Sequence, residues 1–87
     1  MSYDKPKALG IIQALKEQNN NDENYIVACD DLSYALSLAL IAYSSHLSIW
    51  ADIPEHADND MKQYWAALHS IHNVLTEAGV FSCKEFT

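Results

Sequence analysis

Eighty-seven residues with 49% hydrophobic content make one domain, residues 1–87, near the lower limit of what can bury a useful core, and they exclude a disordered chain. Five lysines, no arginine and twelve acidic residues leave a net charge of −7, which excludes the basic patch a nucleic-acid binder needs to displace counterions. Such acidity either serves solubility or suits a partner protein with a basic surface.

In chain order, Asp4 can cap a helix whose first turn holds Lys5 and Pro6, where a missing N–H costs little. Ala8, Leu9, Ile11, Ile12 and Leu15 fall at helical spacing, so a helix is expected over about 5–18. Gly10 either weakens it by roughly 1 kcal/mol relative to Ala or permits close helix packing. Glu17 to Asn24 is polar and asparagine-rich, a composition that prefers turns and caps to helix interiors. Tyr25 to Cys29 is locally ambiguous: it can open the second helix, capped by Asp22 or Asn24, or enter extended with Asp30 as the cap. A strand is the weakest of these readings, because a lone strand would need a mate.

Leu32 to Ala51 runs for twenty residues without a charged side chain. That is about the length of a bilayer span. Five serines and His46 would each need a hydrogen-bond partner in hydrocarbon, and Asp22 to Asp60 contains no Lys or Arg to set an orientation. A buried helix is the better reading, and no membrane is expected. Leu32, Leu36, Ala39, Leu40, Tyr43, Leu47 and Trp50 keep the spacing of one face, and a long second helix of about 24–51 follows. Tyr34, Leu38, Ile41 and Ile49 form a second apolar line off that face. Two companion helices can cover one wide face but hardly both.

Asp52 to Asn59 breaks the helix, because Pro54 pushes Ile53 towards extended conformations. Asp58 can cap a third helix of about 59–78, with Met61, Tyr64, Trp65, Leu68, Ile71, His72 and Leu75 on one face. Gly79 supplies a left-handed end, over which Val80 or Phe81 can fold back. Residues 82–87 read as an extended tail that lays Phe86 on the core. The expected fold is all-α: a long antiparallel hairpin of helices 24–51 and 59–78, with the N-terminal helix packed across it.

The candidate chemistry is thin. Asp52, Glu55, Asp58 and Asp60 crowd one loop around His56, but the spacing is not a calcium loop, and capping accounts for Asp58 and Asp60. His69 and His72 lie three apart, yet H-E-x-x-H is missing, and His72 sits in the apolar stripe as a hydrogen-bonded core residue would. Ser45 and His46 point about 100° apart on a helix and cannot form a nucleophile and its base. Cys29 precedes two aspartates, which raise rather than lower a thiol pKa, and Cys83 lies on the tail. Without C-x-x-C or a signal peptide, reduced cytoplasmic thiols are expected, although one disulfide remains open. Tyr34, Tyr43, Trp50, Tyr64 and Trp65 can line a ligand pocket, but their helical spacing favours packing.

No motif is specific enough to carry a family resemblance. The sequence therefore points to a small non-catalytic, cofactor-free protein-binding or regulatory protein. It would associate as a homodimer or with a basic partner through Tyr34, Leu38, Ile41, Ile49, Asp52 and Glu55, as an inhibitor or an antitoxin-like partner of a nucleic-acid-handling protein would. The alternative is a helical bundle that binds a metal or small ligand through His46, His69, His72 and nearby carboxylates.

Overall fold

The computed structural model describes residues 4–81, and these fold into four helices: α1 (Lys5–Gln18), α2 (Glu23–Leu38), α3 (Leu40–Ile49) and α4 (Asn59–Glu77). Three begin at an aspartate whose carboxylate accepts a backbone N–H of the first turn: Asp4 from Lys7, Asp22 from Tyr25 and Asp58 from Met61. Each such cap satisfies a donor that would otherwise lack a partner, and is worth about 1 kcal/mol. The Asp22 cap settles the ambiguous stretch, since Tyr25 to Cys29 lies in the first turns of α2. Helix α4 ends as its sequence predicts. Gly79 takes φ +75°, its N–H reaches the Thr76 carbonyl, and the N–H of the buried Val80 reaches Leu75.

The all-α class and the packing of the N-terminal helix on the others are as expected from the sequence, but the second helix is not one piece. At Ala39 the backbone swings to φ −173°, ψ 155°, and the chain restarts as α3. Neither Pro nor Gly causes this, so the reason is tertiary. A continuous helix over 24–51 would be about 42 Å long. The whole molecule extends only 37 Å along its longest axis, and the far half of such a helix would have nothing to pack against. Breaking at Ala39 returns Tyr43, Leu47 and Trp50 to the core.

Two local features accommodate the break. Ser37 Oγ donates to the Ser33 carbonyl at 2.8 Å, a back-bond that bends helices. The Ser37 carbonyl, which a continuing helix would offer to residue 41, accepts instead from Lys5 Nζ at 3.2 Å.

The contacts at either end order the bundle. At one end Asn24 meets Asp60 and Gln63, joining the start of α2 to the start of α4. At the other end Lys5 reaches the last turn of α2, while Lys7 Nζ donates to the Ala78 carbonyl just beyond α4. Helices α2 and α4 therefore run in the same general sense, and α1 returns against them. Helix α3 also returns, since Tyr43 at its start meets His72 and Trp50 after its end meets Tyr64. The antiparallel hairpin expected of 24–51 with 59–78 is thus made by α3 alone.

Helix α2 is the central element, packed on α1, α3 and α4. Leu32, Leu36, Leu68, Ile71 and Leu75 are fully buried between these helices. Each contributes roughly 1.5–3 kcal/mol of apolar transfer. From α1, Ala8 and Ile12 close the core, joined at its margin by Leu9, Ile11 and Leu15. Phe81 packs against the core as expected, whereas Phe86, Cys83 and the expected tail lie outside the described residues. Among the described residues, no helix is long and apolar enough to cross a membrane.

Candidate functional site

The polar side chains singled out in the sequence are drawn into separate structural contacts. Tyr64 on α4 donates its hydroxyl proton to Asp31 on α2. Its oxygen then accepts from His46 Nε2 on α3 at 3.0 Å, which requires the proton of His46 to sit on Nε2. Burial, and then the bond to Asp31, push the Tyr64 phenol above its ordinary pKa. Trp50 packs edge-on against the same ring, with centroids 5.1 Å apart. This carboxylate, phenol and imidazole chain ties three helices together.

One helical turn to two turns further along α4, His69 Nε2 lies 3.3 Å from the Trp50 carbonyl, and its ring packs on Trp65. His72 Nδ1 hydrogen-bonds the fully buried Tyr43 hydroxyl at 2.8 Å. Burial, and then the neighbouring His69, lower the His72 pKa. His72 is therefore hydrogen-bonded as expected, but it is half-buried at the margin of the core rather than within it. The three imidazoles engage three different partners, and among the described residues no group of three or more His, Cys, Asp or Glu side chains is arranged to hold a metal. The metal-binding alternative thus finds no coordination site in them.

Cys29 is a free and fully buried thiol. Burial first, and Asp30 second, push its pKa up to about 11, so it carries no thiolate at neutral pH. Nor do the five aromatic residues line one pocket: Tyr43 is core, Trp50 and Tyr64 pack on each other, Trp65 stacks on His69, and Tyr34 faces outward. A shallow groove of about 270 Å³ lies elsewhere, bounded by Asp22, Tyr25, Gln63, Ala66, Ala67 and Ser70. Sequence reasoning did not single it out, because its lining comes from the start of α2 and the middle of α4, which share no spacing that a sequence displays.

The second apolar line of the uncharged stretch is a different matter. Tyr34 is 68% exposed, Leu38 62%, Ile41 76% and Ile49 73%. Tyr34 and Leu38 stand one turn apart on α2, Ile41 follows just beyond the break, and Ile49 ends α3. None is covered by the described residues. Exposed serines 37, 45 and 48 lie among them, and Ser37 and Ser48 turn their hydroxyls back to backbone carbonyls one turn earlier. The surface is therefore less polar than its composition implies.

Carboxylates gather at one end of the bundle. The end of α1, the starts of α2 and α4, and the loop after α3 bring exposed Glu17, Glu23, Asp52, Glu55 and Asp60 to that end. Among the described residues the one ion pair is Lys16 with Asp30, at 2.7 Å. It is solvent-exposed and so adds little stability. No family model, no curated protein and no solved structure matches this chain.

Proposed function

We propose that this chain is a small, non-catalytic, regulatory protein of the cytoplasm that works by binding another protein. The observation that carries the reading is the uncovered line of Tyr34, Leu38, Ile41 and Ile49. Large apolar residues placed together on the outside of a small domain mark interaction surfaces, and a tyrosine among them is a natural anchor. The absence of enzymatic chemistry is part of the same reading. It is supported by the engagement of His46, His69 and His72 with structural partners and by the inert thiol of Cys29.

The acidic end, with Asp52 and Glu55 beside Ile49, favours a partner whose surface is basic. Inhibition of a nucleic-acid-handling protein, in the manner of an antitoxin, fits that chemistry.

The test is capture from an extract of the native host on the immobilised chain, at low and high salt, followed by reconstitution of any complex from purified components. A basic partner should release as salt rises, because exposed charge pairs are screened. It should also be weakened with Asp52→Asn combined with Glu55→Gln. A partner unaffected by salt and by this double substitution, or one that does not reconstitute, overturns the reading.

A further inference from the structure

We infer that a second copy of this chain seats on the Tyr34, Leu38 and Ile41 surface and forms a two-fold symmetric dimer through the outer sides of α2 and α3. The inference rests on the protein-binding reading above and names one occupant for that face. Charge is the first argument. Two chains of net charge −7 repel one another wherever their carboxylates meet, so a self-interface must be built where there are none. Residues 32–51 carry no acidic or basic side chain other than His46, and His46 is turned inward to Tyr64.

The carboxylates nearest to Tyr34 in the chain are already engaged, Asp30 by Lys16 and Asp31 by Tyr64. A basic partner would find little to hold at this point. The cation beside this face is Lys5, held on the Ser37 carbonyl, and the segment itself brings no carboxylate to oppose its copy. The acidic end of the bundle lies beyond Ile49, so a two-fold axis near Ile41 carries the two acidic ends away from each other.

Extent is the second argument. Tyr34, Leu38 and Ile41 fall within eight residues of one another and are each more than 60% exposed, a cluster rather than isolated surface residues and a seed for the ~800 Å² per subunit that a stable dimer buries. The interface is isologous, so every residue on it counts twice and one substitution removes two contacts.

Sedimentation equilibrium of the purified full chain at micromolar concentration tests this directly. The expected species has twice the 9.8 kDa chain mass, and the association tightens or holds as salt rises, since screening removes repulsion between like-charged subunits. Ile41→Asp should weaken it by about a hundredfold, because it buries two unpaired carboxylates. That substitution puts an acid in the first turn of α3, where the helix dipole favours it, on a residue 76% exposed, so circular dichroism and melting of the monomer should be kept. Tyr34→Ser provides a second variant should the first misfold.

A wild-type chain that stays a folded monomer overturns the second copy as occupant, while face-dependent capture of another protein would leave the protein-binding reading standing. A dimer unaffected by both substitutions overturns the face.

Discussion

Gly10 shows how a single position changes meaning once its surroundings are known. In the sequence it reads equally as a weak point in α1 or as a place of close helix approach. In the fold it is solvent-exposed, and a β-carbon built there meets nothing within 4 Å. Gly10→Ala should therefore stabilise the protein by about 1 kcal/mol, through lower chain entropy in the unfolded state and better helix propensity. Melting should rise by roughly 4–8 °C for a domain of this size. An unchanged or lower melting temperature would show that the exposed side of α1 is occupied after all. Gly79 is the opposite instance: its positive φ is required by the turn that buries Val80.

Among the elements, α3 is the one with the least support of its own. The other three helices start at an aspartate cap, but α3 starts at Ala39, which has the extended backbone of a cap residue and no side-chain acceptor. Its place is fixed from outside, by Tyr43 against His72, His46 against Tyr64 and Trp50 against Tyr64. Ala39→Ser supplies the missing acceptor at an exposed position. It should stabilise the fold by about 0.5–2 kcal/mol and slow amide exchange across α3. Exchange in α3 as slow in wild type as in the core of α4, with no change on substitution, would contradict that account.

For the whole molecule, groups wholly or partly withdrawn from water set a pH window: His72 on the acid side, and Cys29, Tyr43 and Tyr64 on the alkaline side. His72 is held below its ordinary 6.5, mainly by burial, so the unfolded chain binds the proton more readily. Its contribution is complete above 6.5 and is lost as pH falls from there towards the folded-state value. Tyr43 and Tyr64 are held above their ordinary 10.0, again mainly by burial. Their contribution is complete below 10 and is lost as pH rises beyond it. Cys29 is likewise held above its ordinary 9.0, first by burial, so its contribution fades as pH rises towards and beyond 9. The melting temperature should therefore be flat from about pH 7 to 8 and fall on both sides. His72→Gln should flatten the fall between pH 6.5 and about 5, before the carboxylates titrate. An acid limb unaltered by that substitution would place its origin elsewhere.

The amino-acid sequence alone determined the all-helical class, two of the four helix starts with Asp22 among the alternatives for a third, the left-handed end of α4 and most of the core. It could do so because capping and helical periodicity are local: Asp4, Asp22 and Asp58 act on amides three residues away, and Leu68, Ile71 and Leu75 repeat at the pitch of one helix. It also marked Tyr34, Leu38, Ile41 and Ile49 as surplus to one buried face, and they are exposed. Only the tertiary structure decided that the chain turns at Ala39, since alanine is the strongest helix former and nothing near it in sequence forbids continuation. The turn is chosen because the residues beyond it can reach His72 and Tyr64 only by coming back. Tertiary structure likewise decided that Asp31, Tyr64 and His46 meet, because three side chains from three helices share no spacing that a sequence can display.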